Sequence, residues 1–83
     1  MSKTKKEALE MTREFLSRLH DFGTYDAEKY SLVLENLYFH NYKNISNKIA
    51  PLYQKGEIIS VEFDIIEEIL ADINNELTKL KND

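Results

Sequence analysis

The chain of 83 residues has no cysteine and no tryptophan, only two glycines and a single proline. Without cysteine, disulfides and thiolate chemistry are excluded, and a zinc site would need histidine and carboxylate ligands. The residues that interrupt helices are few (Gly23, Pro51 and Gly56), which leaves long stretches suited to helices. No apolar run approaches the ~18 residues that cross a bilayer, and no apolar signal core follows the N-terminal lysines. We therefore expect a cytoplasmic protein without a membrane span.

The overall composition is that of one ordinary globular domain spanning residues 1–83. Apolar residues make up 42% of the chain and charged residues 31%, with a net charge of −4. The negative balance argues against nucleic acid as the main ligand. His20 and His40 give no Ser-His-Asp ordering, and the chain has no glycine-rich phosphate loop and no HExxH motif. We expect no enzyme activity, no metal site and no cofactor.

An apolar ladder in the last third of the chain is the strongest structural signal. Its members are spaced alternately four and three residues apart: Ile59, Phe63, Ile66, Leu70, Ile73, Leu77 and Leu80. This heptad spacing, as in coiled coils, predicts one long helix over about 60–80 with its seam buried against other helices. Ser60 is the expected N-cap. Past Ala71 only the narrow seam remains, so this half is covered either by the first helix or by a second copy of the chain.

Three further helices are expected before it. The first begins with a capping box formed by Thr4 and Glu7 and ends before Gly23. It also carries a favourable i,i+4 pair between Glu14 and Arg18.

The second helix follows the turn at 23–26, with Asp26 or Thr24 as cap, and keeps a helical period through Tyr42 and Ile45. A short third helix over about 46–55 is favoured, although a break at Ala50 would make Pro51 the first residue of a short helical turn. The sequence thus predicts an all-α fold, a small antiparallel four-helix bundle with a short third helix.

An acidic row on the fourth helix is one candidate surface for binding a partner. Its members recur every four residues and lie along one strip: Asp64, Glu68, Asp72 and Glu76. The row is either a solvated face answered by cations of the first helix (Lys3, Lys5, Lys6, Arg13 or Arg18) or a docking strip for a basic protein. Mimicry of nucleic-acid phosphates is a third interpretation.

An aromatic cluster on the second helix is another candidate surface. Tyr38 and Tyr42 share a face, Tyr53 follows, and aromatic residues of this kind serve either core packing or interfaces. Leu32 and Phe39 are apolar on the opposite side of the same helix. A small bundle rarely has room to bury both sides of one helix, which favours an interface.

The segment 46–69 loosely mimics a helix-turn-helix with Gly56 in the turn. Its second helix begins SVEFDIIEE, which is acidic where DNA contacts require basic or amide side chains. A DNA-binding regulator is therefore the third-ranked function.

Several stretches resemble the immunity proteins of class IIa bacteriocin producers, the enterocin A type. MSKTKKEALEMTREFLSRL is similar to their lysine-rich first helix. NLYFHNYKNISNKIAPLYQKGEI, followed by EFDIIEEILADI, is similar to their aromatic junction before the last helix. The resemblance implies a four-helix bundle that protects its host by acting on a membrane sugar-permease complex from the cytoplasmic side.

The leading functional hypothesis is a small non-enzymatic protein-binding module of bacterial or phage origin, such as an immunity protein or another inhibitor or regulator. The candidate contact residues are the two groups described above: Tyr38, Tyr42, Tyr53, and Asp64, Glu68, Asp72, Glu76. The alternative is a structural homodimer in which the seam of the fourth helix past Ala71 pairs with its copy.

Overall fold

A computed structural model describes residues 4–22, 27–52 and 61–82. They form four α-helices: α1 (Lys5–Phe22), α2 (Ala27–Phe39), α3 (Lys43–Ile49) and α4 (Val61–Asn82), with a 3₁₀ turn at Ala50–Leu52. α1 packs against α2 and α4, and α3 packs against the same two helices. The predicted all-α bundle with a short third helix is thus confirmed. Several residues singled out from the sequence lie outside the described ranges: Lys3, Gly23, Thr24, Asp26, Tyr53, Gly56, Ile59 and Ser60.

One apolar core joins all four helices. Its most deeply buried members are at most 1% exposed: Leu9, Leu16, Leu19, Val33, Leu37, Ile49, Ile66, Ile69 and Ile73. The remaining seam residues of α4 are half-buried and pack against this core: Phe63, Leu70, Leu77 and Leu80. The prediction of a continuous fourth helix with a buried seam is confirmed over the part that the structure describes. Within that part, no helix is both long enough and apolar enough to cross a membrane.

The buried polar side chains are satisfied by their own helices. The Thr12 hydroxyl donates to the Ala8 carbonyl at 2.8 Å. The Asn36 amide donates to the Leu32 carbonyl at 2.8 Å, and the Ser46 hydroxyl donates to the backbone carbonyl of residue 43 at 3.2 Å. Because each has a partner, none of these three groups requires a ligand inside the bundle.

The start of α1 forms as predicted. The Thr4 backbone N–H donates to Glu7 Oε1 at 3.0 Å, and the Glu7 N–H donates to Thr4 Oγ1 at 3.1 Å. This reciprocal capping box satisfies two backbone donors that the helix itself cannot pair. Further along the helix, Arg18 Nε lies 3.6 Å from Glu14 Oε1, which confirms the predicted i,i+4 pair.

The prediction that the second helix continues through Tyr42 and Ile45 is wrong. α2 ends at Phe39, and Asn41 adopts a left-handed backbone with φ of 64°. The Tyr42 N–H donates to the Leu37 carbonyl at 2.8 Å, and the Asn41 N–H donates to the Tyr38 carbonyl at 3.1 Å. This pair of bonds is a Schellman motif with asparagine in place of the usual glycine. It turns the chain so that Tyr42 becomes the residue preceding α3.

The predicted bounds of the third helix, about 46–55, also need correction. α3 begins at Lys43 and ends at Ile49, and the chain tightens into the 3₁₀ turn that contains Pro51. A proline ring clashes with the carbonyl four residues earlier, so the α-helix stops before it. The Tyr30 hydroxyl donates to the Ala50 carbonyl at 3.2 Å, which attaches this turn to α2.

Candidate partner-binding surfaces

The middle of the acidic row is joined to α3 by a single lysine. Lys48 Nζ lies 2.7 Å from Asp72 Oδ2 and 3.1 Å from Glu68 Oε1. These hydrogen bonds, first to Asp72 and then to Glu68, raise the pKa of the Lys48 ammonium above its ordinary value. The cation also relieves the repulsion between two like charges four residues apart on one helix.

One interpretation of the acidic row was that cations of the first helix neutralise it. For the cations that the structure describes, this interpretation is wrong. Arg13 donates to Asn74 Oδ1 at 3.3 Å, and Arg18 pairs within its own helix. Glu76, at the end of the row, pairs with a cation of its own helix, because Lys79 Nζ lies 3.3 Å from Glu76 Oε1. Asp64 is exposed, at the other end. The row is therefore partly neutralised from α3 and α4, and only its start presents open negative charge.

Of the predicted tyrosine cluster, the structure describes Tyr38 and Tyr42, which differ in exposure. Tyr42 is half-buried against the core. Burial, and secondarily the charge of Glu76, raises the pKa of the Tyr42 phenol. Tyr38 is 50% exposed, and Tyr53 lies outside the described residues. Tyr42 therefore serves packing, whereas Tyr38 remains available to a partner.

The apolar residues on the opposite side of α2 face solvent. Leu32 is 46% exposed and Phe39 is 63% exposed, although Val33 and Leu37 on the same helix are fully buried. Leu32 and Phe39 are two turns apart with Glu35 between them, and we call these three residues the α2 outer face. The Phe39 ring meets the edge of His40 at a centroid distance of 4.9 Å. The sequence correctly identified a helix that is apolar on two sides.

His20, at the end of α1, contacts the first half of α4. Its ring lies edge-on to Phe63 at 5.1 Å, and its Nε2 lies 3.6 Å from Glu67 Oε2. Its Nδ1 lies 3.3 Å from Asp21 Oδ1. Within the described ranges, no group of three or more histidine and carboxylate side chains is arranged to hold a metal ion. These contacts give His20 a role in attaching α1 to α4.

A groove that sequence reasoning missed runs between the first half of α1 and the last half of α4. It has a volume of about 550 Å³ and is lined by Lys6, Glu10, Arg13, Asn74, Leu77, Thr78, Leu80 and Lys81, which we call the α1–α4 groove. The available signal was the concentration of lysines at both ends of the sequence. Only the packing of α1 on α4 shows that these lysines share one depression.

Fold and surfaces together define a small helical-bundle protein. No known protein family, no curated protein and no solved structure gives a significant match to the chain. The resemblance to bacteriocin immunity proteins therefore stays a prediction.

Proposed function

We propose that this chain is a small non-enzymatic protein-binding module that contacts its partner through the α2 outer face. The observation that carries the proposal is the exposure of Leu32 and Phe39 on a helix whose other side already supplies the core. Large apolar side chains that are exposed to water add nothing to the core of the fold. Covering them with a partner is favourable, because it removes apolar surface from water. Two anchors seven residues apart suit a helix face that lies in an apolar groove.

The surroundings of these anchors suit a protein partner. Tyr38, which is 50% exposed on the same helix, combines a large ring with a polar hydroxyl, a combination enriched at interface hot spots. Glu35 is exposed between the two apolar anchors. A partner with an apolar groove and a basic rim would complement this arrangement, and the net charge of −4 would speed its approach.

The test compares three versions of the full chain in quantitative affinity capture from a native host extract. We expect the specifically retained protein to be lost from the double variant Leu32→Ser/Phe39→Ser. Phe22→Ser is the matched control, because Phe22 is 73% exposed on a different helix. Circular dichroism verifies that each variant is folded. Equal retention by wild type and the double variant, or equal loss in the control, would contradict the proposal.

Within this class, we favour an inhibitor or immunity-type protein that acts in the cytoplasm of a bacterium. The all-α bundle agrees with the fold that the sequence resemblance implies. Expression of the full chain in a bacterium sensitive to a class IIa bacteriocin should then increase survival over an empty-vector control. Identical killing curves would reject the immunity role and leave the binding role to the capture experiment.

The alternative, a homodimer through α4, has less surface to use. Ile66, Ile69 and Ile73 are fully buried by their own chain, and Leu77 and Leu80 are half-buried. Light scattering across concentrations distinguishes the homodimer from the protein-binding module, because a homodimer requires the measured mass to double. The third candidate, a DNA-binding regulator, would be supported if the chain bound generic duplex DNA at moderate salt.

A further inference from the structure

We propose that the α1–α4 groove is a second docking site, which accepts an acidic amphipathic helix of a partner protein. The site is independent of the α2 outer face because it lies on different helices. Its rim carries three cations, Lys6, Arg13 and Lys81, against one carboxylate, Glu10. This local excess of positive charge occurs in a chain whose net charge is −4.

The cations of the rim are available to carboxylates. Within the part of the chain that the structure describes, Lys6 and Lys81 make no ion pair. Arg13 Nη1 donates to Asn74 Oδ1 at 3.3 Å, which orients the guanidinium across the groove. A guanidinium carries five N–H donors, so one bond to Asn74 leaves donors for a carboxylate.

The floor of the groove distinguishes an amphipathic helix from a simple anion. Leu77 and Leu80 are half-buried, with the core behind them and the groove in front. A free phosphate would make no use of this apolar floor. A nucleic-acid backbone would meet Glu10 on the α1 wall. It would also lie near the acidic row, which is on α4, the helix that forms the other wall. Both would repel its phosphates. A helix with leucines on one side and glutamates beside them satisfies both the floor and the rim.

The length of the groove fits about two turns of such a helix. Lys6 and Arg13 are seven residues apart along α1, as are Asn74 and Lys81 along α4. At 1.5 Å per residue each wall is about 10 Å long. Two apolar anchors at i and i+7 on the occupant would therefore span the groove from one end to the other.

The test uses a designed, fluorescently labelled peptide of about 14 residues, with leucines at i, i+3 and i+7 and glutamates at the flanking positions. Fluorescence anisotropy at low salt measures its affinity for the full chain. A second peptide keeps every glutamate and replaces each leucine with serine. We expect the leucine peptide to bind, and the serine peptide to bind at least about tenfold more weakly.

Charge reversals of the protein locate the site. Arg13→Glu should lower the affinity for the leucine peptide by at least about tenfold. Lys43→Glu on α3 makes the same change in net charge and should leave this affinity within about twofold of wild type. Lys81→Glu, in the last turn of α4, repeats the test should Arg13→Glu fail to fold. The double variant of the α2 outer face should bind the peptide as wild type does, which separates this site from the proposed function.

Several results would overturn the docking site. Equal affinity for the two peptides would mean that the leucine floor is not used. Equal weakening by Arg13→Glu and Lys43→Glu would mean that only net charge matters. Tighter binding of inorganic phosphate or of duplex DNA than of the leucine peptide would assign the groove to a different ligand.

Discussion

Lys48 on α3 holds Asp72 on α4 at 2.7 Å, and the same ammonium reaches Glu68 at 3.1 Å. One cation therefore bridges two carboxylates on successive turns of the longest helix. Because α3 is only seven residues long, its packing and this bridge together determine where it lies against α4. The acidic row, considered from the sequence as a binding strip, is in its middle part an attachment between two helices.

Substitution Lys48→Met should lower the melting temperature, because Glu68 and Asp72 then repel each other without a compensating cation. The loss should be larger at low salt than at high salt, since screening weakens both the bridge and the repulsion. Lys43→Met, at an exposed position on the same helix, is the matched control. Thermal unfolding followed by circular dichroism measures the difference, and equal behaviour of the two variants would show that the bridge contributes nothing.

Alkaline pH should remove the stabilisation that the Lys48 bridge provides. The folded-state pKa of Lys48 is raised above its ordinary value of 10.5. The bridge is therefore fully stabilising below the unfolded pKa, and the stabilisation is lost as pH rises through the folded pKa. Urea unfolding of wild type and Lys48→Met at a series of pH values should give curves that converge above pH ~10.5. A constant difference across that range would contradict the role of the charged lysine.

The phenol of Tyr42 should ionise at a higher pH than an ordinary tyrosine, because its pKa is raised. Burial, with a smaller effect of Glu76, raises the pKa of Tyr42 above 10.0. In a spectrophotometric titration of tyrosinate absorbance, Tyr42→Phe should remove amplitude from the high-pH end of the curve. Tyr38→Phe is the matched control. Loss of amplitude from the low-pH end in Tyr42→Phe would indicate that this side chain is exposed.

The stop between α2 and α3 should depend on how readily the residue at position 41 adopts a left-handed backbone. Its φ of 64° suits glycine best and disfavours residues with a Cβ by about 1–2 kcal/mol. We expect Asn41→Gly to match or exceed wild-type stability, Asn41→Ala to lose about 1 kcal/mol and Asn41→Val to lose more. Chemical unfolding ranks the variants. An alanine variant as stable as the glycine variant would be inconsistent with a left-handed residue here.

Features set by neighbours in the sequence were predictable. The capping box of Thr4 and Glu7 and the Glu14–Arg18 pair each join residues three or four apart, and both form. The end of α2 was not predictable from glycine and proline, because its left-handed residue is Asn41.

Features set by packing were beyond sequence reasoning. Lys48 lies 20 residues from Glu68, and nothing local selects it over the cations of α1. The α1–α4 groove likewise combines walls from opposite ends of the chain. The exposure of Leu32 and Phe39 was anticipated because a two-sided apolar helix in a short chain leaves one side without cover.

Truncation of the α4 seam should be far more damaging than truncation of its exposed neighbour. Ile73 is fully buried, so Ile73→Ala should lose about 2–5 kcal/mol of unfolding free energy. Ile65 is 39% exposed on the same helix, and Ile65→Ala should lose about 1 kcal/mol or less. Urea unfolding of both variants measures this contrast. Similar losses at the two positions would contradict the burial of the seam.

The most direct test of the α2 outer face is the unfolding free energy of the full chain with Leu32→Ser and Phe39→Ser. If these side chains are reserved for a partner, their removal leaves the core untouched, and the stability should stay within about 1 kcal/mol of wild type. A loss of about 2–5 kcal/mol, as expected for Ile73→Ala, would place both side chains in the packed interior and remove the surface on which the proposed function depends.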